Sequence, residues 1–353
     1  MQNFSRNTNF TKVIKFVLRF FLFLILHIQF FMFAPVVLFT YKRPIHTKIV
    51  LDALSNCDFI QETDVIIYAD GLKKTATQKD KEEIDATRQV LLDYKETHNF
   101  KNLELHFSEE NRGIAYSVKK GAAKELEKYG KVIIMEDDIV PQKGFVKYMN
   151  EALDKYENEE KVWGISAYAF PLKNEKLVQE ETFFLPVNCS WGWATWKSRW
   201  DKADLDVHSI FKRFENNNVE REDYNFGSYY YYEILEVLRD KKSDVWDGLF
   251  QASMFLDNGV FLYPKRSLAK NIGFDATGTH CNEEDAFFNT TQTDYVTIKN
   301  IPITADNEGR RQVEKAFSGQ FRKPSILKRI QNKLDPNSPY FITKRMKSIL
   351  NKK

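Results

Sequence analysis

From residue 35 onward the chain alternates short apolar runs with stretches at helical spacing, and this alternation limits the fold more than any other feature. Residues 35–40 (PVVLFT), 65–68 (VIIY), 103–107 (LELHF) and 131–135 (KVIIM) read as buried strands, short and rich in β-branched or aromatic side chains. Between them, Ile45, Ile49, Val50 and Leu54 are expected on one helical face. Ile84, Leu91 and Tyr94 repeat that pattern in the second connection, and Ile114, Val118, Ala122 and Leu126 in the third. Strand and helix in alternation predict an α/β fold: a mostly parallel, Rossmann-like sheet flanked by helices, its crossovers right-handed. Ligands are then expected at the carboxyl ends of the strands. Beyond residue 161 the pattern loosens. A strand is expected at 162–166, a Trp-rich loop at 190–200, helices around 229–238 and 246–256, and a strand at 260–263.

Charge divides the chain differently. Residues 1–33 carry four Lys or Arg and no acid, residues 310–353 carry a surplus of +11, and residues 34–309 carry −12. Three segments follow: a basic hydrophobic N-terminal extension at 1–33, a catalytic domain at 34–309 with halves meeting at 161/162, and a basic amphipathic tail at 310–353. An acidic body with basic ends argues against a nucleic-acid binder, whose positive charge should line one face of the fold. It favours a body that touches an anionic membrane surface through its ends, peripheral to the inner face of that membrane in the cytoplasm. Residues 16–33 admit three readings: a non-native extension with initiation at Met32, a membrane-associated helix, or a full span. The amphipathic run around Ile342, Met346, Ile349 and Leu350 is either a solvated terminal helix or a surface anchor. Three scattered cysteines, and six histidines without H-x-x-x-H spacing, exclude a disulfide framework and disfavour a zinc hydrolase.

The strand ends carry the chemistry. Thr40-Tyr41-Lys42-Arg43-Pro44 follows the first strand, Ala69-Asp70-Gly71 the second, Asn111-Arg112-Gly113 the third and Glu136-Asp137-Asp138 the fourth. Three adjacent acids repel one another unless a cation compensates them, and hard divalent ions such as Mn²⁺ or Mg²⁺ prefer such oxygen ligands, with substrate phosphates completing the shell. Along an extended strand Glu136 and Asp138 would face one side and Asp137 the other. The bland alternative is a solvated acidic turn. Walker A and G-x-G-x-x-G loops are both absent, which weakens P-loop and dinucleotide readings. Sugar transfer from a nucleoside-diphosphate donor fits best. The rivals are a nucleotidyltransferase on a similar sheet, which should carry a Gly-rich loop after the first strand, and a non-enzymatic membrane-surface scaffold.

FTYKRP, YADG, VIIMEDDIVPQKGF, SWGWATW and VWDGLFQ, spread over residues 34–280, resemble the GT-A glycosyltransferases. The likeness is to the N-acetylglucosaminyltransferase I-like group and its bacterial relatives. The resemblance implies a GT-A fold, a UDP-linked donor with UDP-GlcNAc one candidate, Mn²⁺ dependence and inversion at the anomeric carbon; the basic ends, by charge alone, suggest a glycan or lipid-linked glycan acceptor in cell-surface polysaccharide synthesis. The resemblance also implies that Asp138 ligates the metal, that Glu136 and Asp137 contact ribose and sugar, that Asp70 accepts the uracil N–H, and that Arg43 lies by the nucleotide. Where the animal enzymes carry a His in the helix after the third strand this chain has Ser117, so the donor sugar is left open.

Asp247 aligns with the group's general base; read without the resemblance, it is an ordinary helix N-cap. Trp193 is expected to wall the donor sugar or acceptor, with Trp191 and Trp246 on the acceptor side, since Trp stacks on sugar rings as readily as it fills cores. Residues 271–280 read as a mobile loop in which His280 contacts phosphate or metal, or is structural. Arg112 either pairs with the diphosphate or solvates a turn.

Overall fold

The computed structural model of the 353-residue chain describes residues 33–227, 230–240, 246–275 and 290–317. The four strands read from apolar runs are all present: β1 (Val36–Thr40), β2 (Asp64–Ala69), β3 (Asn102–Phe107) and β4 (Lys131–Glu136). They lie side by side in the order β3-β2-β1-β4, all parallel, joined by the helices α1 (Pro44–Ser55), α2 (Gln78–Thr97) and α3 (Ile114–Tyr129). Pro44 opens α1 at a position where its missing N–H costs nothing. Thr77 and Asp80 form a reciprocal capping box that starts α2.

α1 does not bury the face expected. Thr47, Val50, Leu51 and Leu54 point inward, while Ile45 is 71% exposed and Ile49 42%. Thr47 and Leu51 complete the stripe at i, i+3, i+4 and i+7, which leaves Ile45 and Ile49 on the opposite side.

After β4 come β5 (Ile139–Pro141), α4 (Phe145–Lys155), β6 (Val162–Ser166), β7 (Thr182–Leu185), β8 (Trp193–Trp196), α5 (Lys197–Lys202), α6 (Val207–Asn216) and α7 (Arg221–Tyr224). Then follow α8 (Tyr231–Arg239), α9 (Asp247–Leu256), β9 (Val260–Pro264), β10 (Ala269–Asn271) and α10 (Asn307–Phe317). One eight-stranded sheet runs β3-β2-β1-β4-β8-β6-β9-β7, so the division expected at 161/162 is no break in it. β8 is antiparallel to both its neighbours, β9 is parallel to β6, and β7 is antiparallel to β9. The expected mostly parallel α/β sheet with flanking helices is therefore observed.

The expected Trp-rich loop is a correction. Gly192, at a φ of +73°, turns the chain into β8, and all four residues of that strand are buried because both faces of the central sheet are covered. Trp193 points into an aromatic core beneath α9, stacked on Trp246 at 5.5 Å and on Phe261 at 6.0 Å. Trp196 points away from that core and donates its indole N–H to the Leu153 carbonyl of α4. The boundary expected at 309/310 also falls inside an element, since Val313 and Phe317 of α10 are buried in this core. Among the described residues no helix is long and apolar enough to cross a membrane. Most of the basic tail, and residues 1–32 with their three membrane readings, lie outside the described residues.

Candidate active site

Parallel pairing brings the C-terminal ends of β1, β2, β3 and β4 to one edge of the sheet, with Thr40 opposite Ala69, Ala69 opposite Phe107, and Phe39 opposite Glu136. Arg43, immediately before α1, reaches across to β4. One guanidinium nitrogen, Nη2, donates to Asp137 Oδ1 and, at 3.0 Å, to Asp138 Oδ2. Asp137 is 3% exposed, and its second oxygen accepts the Tyr41 backbone N–H at 3.2 Å.

Asp137 and Asp138 thus converge on one cation, although strand alternation would send them to opposite sides. The extended backbone ends at Glu136, and residues 137–138 turn the chain into β5. The solvated-turn reading does not describe Asp137.

The electrostatics are those of a crowded anionic cluster. Burial, then repulsion from Asp138, Asp137 and Asp247, pushes Glu136 up to about 8, with Arg43 working against the rise. Burial pushes Asp137 up to about 6, again opposed by Arg43. Burial also disfavours the Arg43 charge, but Asp137 and Asp138 outweigh it and hold the guanidinium above its ordinary value.

Asp247 comes to this cluster from 109 residues further along the chain than Asp138 and is near enough to bear on Glu136. It is the first residue of α9, whose N-cap is Trp246, so it is not the capping residue that its sequence context allows. Its Oδ2 accepts a hydrogen bond from Ser190 Oγ at 3.2 Å. The helix N-terminus favours its negative charge.

The segment after β10 closes over the carboxylates. β10 pairs antiparallel with β5, Asn271 opposite Ile139, which carries the next residues back over Asp138. The Ile272 N–H bonds the Asp138 carbonyl at 2.9 Å. A Cβ on Gly273 would collide with Asp138 Oδ2 and would lie 3.2 Å from Arg43 Nη1. Phe274 meets Trp191 edge to face at 5.5 Å, and Asp275 pairs with His46 of α1 at 3.1 Å.

Arg43 holds Asp138 in place, so a side chain at 273 cannot be accommodated by swinging the carboxylate aside. Gly273→Ala is expected to cost about 1–3 kcal/mol, the usual cost of overpacking, read as a lowered denaturant midpoint. An unchanged midpoint would show that this backbone does not rest on Asp138.

Other residues singled out in the sequence fall elsewhere. Asp70 is near the edge, but its oxygens accept backbone N–H groups from Gly71, Arg112 and Gly113 at 2.9–3.2 Å, so it ties the β3–α3 loop. Arg112 is exposed, its guanidinium bonded to the Tyr116 hydroxyl at 3.1 Å and lying over that ring. Ser117 lies in the first turn of α3.

Trp193 and Trp246 are corrections. They are 1% and 5% exposed and stacked on each other in the core between the sheet and α9, which leaves neither ring a face for a sugar. Trp191, partly exposed and set against Tyr168 at 4.7 Å and Phe274, is the Trp at the rim. His280 lies outside the described residues.

Ser190 was not foreseen as a contact of the cluster, nor His46 as the partner of Asp275; Gly273 was foreseen only as part of the 271–280 loop expected to close over the diphosphate. Among the described residues no three His, Cys, Asp or Glu side chains converge as a ready-made metal site.

No known family's sequence profile matches the chain, and no curated protein matches it. The solved structures that resemble it loosely include the following three. The mannosyltransferase PcManGT from Pyrobaculum calidifontis, in complex with GDP-Man and Mn²⁺, is 16% identical over 48% of this chain and 46% of its own, at a TM-score of 0.33. TarS of S. aureus is 14% identical over 67% and 36%, at 0.38, and the apo form of mouse xyloside xylosyltransferase 1 is 10% identical over 64% and 82%, at 0.33. The chain spans less than half the length of the first two. With all three scores below 0.5, these likenesses say nothing of the chemistry at the sheet edge.

Proposed function

We propose that this protein is an inverting glycosyltransferase that moves a sugar from a nucleoside-diphosphate donor to a hydroxyl of a glycan or lipid-linked glycan. One observation supports the reading above the rest: Glu136, Asp137, Asp138 and Asp247, from two distant stretches of sequence, gather at the carboxyl edge of parallel strands with Arg43 among them. The motif resemblance described above points to the same chemistry.

The residues fit a hard divalent cation. Asp138 offers carboxylate oxygens on a side chain 15% exposed, and one arginine faces three adjacent acids. Asp138 would hold Mn²⁺ or Mg²⁺, with donor phosphates supplying further oxygens. When bound, the metal neutralises the negative charge that builds on the departing diphosphate.

The chain's own residues do the rest. Asp247 takes the proton from the acceptor hydroxyl as its oxygen bonds the anomeric carbon and the bond from that carbon to the diphosphate breaks. Arg43 fixes Asp137 and Asp138. Asp70 sets the loop that carries Arg112, whose guanidinium would have to leave Tyr116 to pair with the diphosphate, and Glu136 contacts the donor sugar. Trp191 and Phe274 form a partly apolar rim suited to a sugar ring. UDP is the nucleotide favoured by the resemblance. The basic ends of the chain support an acceptor carried on an anionic membrane, with the body at its inner face.

The test is a panel of UDP- and GDP-linked sugars incubated with Mn²⁺, scored for release of the nucleoside diphosphate. Turnover of one donor class is expected. No release from any donor, with or without an extract of lipid-linked glycans, would overturn the proposal.

A further inference from the structure

Asp247 is held as well as placed. Asn188 donates through Nδ2 to the Asp247 carbonyl at 3.0 Å, and its own backbone N–H donates to Gln251 Oε1 at 2.7 Å. Gln251 in turn donates to the Pro186 carbonyl at 3.0 Å. Asn188 and Gln251 are 7% and 1% exposed, so these buried amides are satisfied by one another's segments and not by water. Residues 247 and 251 share a helical face, and the bonds at 251 therefore set the phase of α9 for Asp247 as well. On the other flank Trp246 is stacked on Trp193 at 5.5 Å and tilted against Trp200 at 6.0 Å.

The segment 186–190 is thus fastened along the first turn of α9, and its last residue, Ser190, carries the hydroxyl that meets Asp247 Oδ2. Among the described residues, the titratable groups that bear on Asp247 include Glu136 on β4, Cys189 beside Ser190 and Tyr224 on α7. The Ser190 hydroxyl is a neutral donor to this carboxylate.

We infer that Ser190 is a positioning residue for the general base, its hydroxyl fixing the orientation of the Asp247 carboxylate toward the acceptor. This rests on the glycosyltransferase reading and on Asp247 as its base. Ser190 itself touches neither donor nor acceptor in this scheme.

The experiment uses the full-length protein and whichever nucleotide sugar it turns over fastest in the panel above, with Mn²⁺ and water or glycan as acceptor. Ser190→Ala is expected to lower kcat about tenfold or more, the worth of a hydrogen bond to a charged group, with the donor KM within about twofold of wild type. Loss of the donor hydroxyl destabilises the carboxylate, so the acid limb of the kcat–pH profile should move to higher pH. Ser190→Thr, which keeps a hydroxyl, should restore both rate and profile.

A Ser190→Ala enzyme with wild-type kcat and an unmoved acid limb overturns the inference, as does a loss of rate that Thr fails to restore in a folded protein. Asp247→Asn assayed alongside separates the two claims. Wild-type turnover in that variant removes the base, whereas its inactivity beside a fully active Ser190→Ala enzyme removes only the role of Ser190.

Discussion

Asp247→Asn is expected to lower sugar transfer by about 10²–10⁴-fold while leaving nucleotide-sugar binding and the fold intact, because a positioned base supplies about that much of the rate. Asn keeps the shape of the side chain and an oxygen that can accept the Ser190 hydrogen bond, so the buried contacts of α9 with Asn188 and Gln251 are undisturbed. What disappears is the group that takes the acceptor proton. A helical role alone predicts a different outcome. An acid in the first turn interacts favourably with the helix dipole by about 0.3–1 kcal/mol, and its loss would move the melting temperature by a few degrees without touching kcat. Initial rates at saturating donor, read beside thermal melts with and without donor, distinguish the two. Full activity with a lowered melt would make Asp247 structural.

The parts of the fold that could be read from sequence are those in which a single residue pattern is sufficient. β1, β2 and β4 are largely buried and therefore appear as continuous apolar runs, and α3 buries Val118, Ala122 and Leu126 at the spacing expected, whereas β3, expected as a buried strand, is the sheet's edge and buries only Leu103. β5, β7 and β10 are three or four residues each and exist because a partner strand pairs with them, which no local pattern encodes.

β8 illustrates the difficulty. Trp-Ala-Thr-Trp after a glycine has neither a β-branched run nor an apolar alternation, and its burial comes from insertion between β4 and β6. The same insertion is why Trp193 and Trp246 turned out to be core, since a Trp motif looks alike whether it covers a sugar or a sheet.

At the site, the acids at the β4 terminus were legible because adjacent like charges need an explanation. Their convergence on Arg43 was less so, because it depends on where the strand stops. Asp70 was legible as a strand-end acid, but three of its four backbone hydrogen bonds come from a loop about forty residues away, the fourth from Gly71 beside it. Residues 271–280 were legible as a loop, but the placement of Ile272 and Gly273 on Asp138 follows from the β5–β10 pairing.

The second large effect concerns Asp138. Three neighbouring carboxylates and one arginine leave this edge short of positive charge, and a nucleoside diphosphate brings more negative charge to it. Donor binding should therefore require a divalent ion and the carboxylate that holds it. Asp138→Ala also frees Arg43 from one of its two acids while sparing the more buried one, Asp137, so the fold is expected to survive.

Calorimetric titration of wild type and Asp138→Ala with UDP and with GDP, each in Mn²⁺ and in chelator, addresses this most directly. Wild-type protein should bind one of these nucleotides in Mn²⁺ and lose about 100-fold or more of that affinity in chelator, with the Asp138→Ala protein equally weak under both conditions. Binding that is indifferent to the metal, or undiminished in the folded variant, would contradict the assignment of this cluster as the donor's metal site.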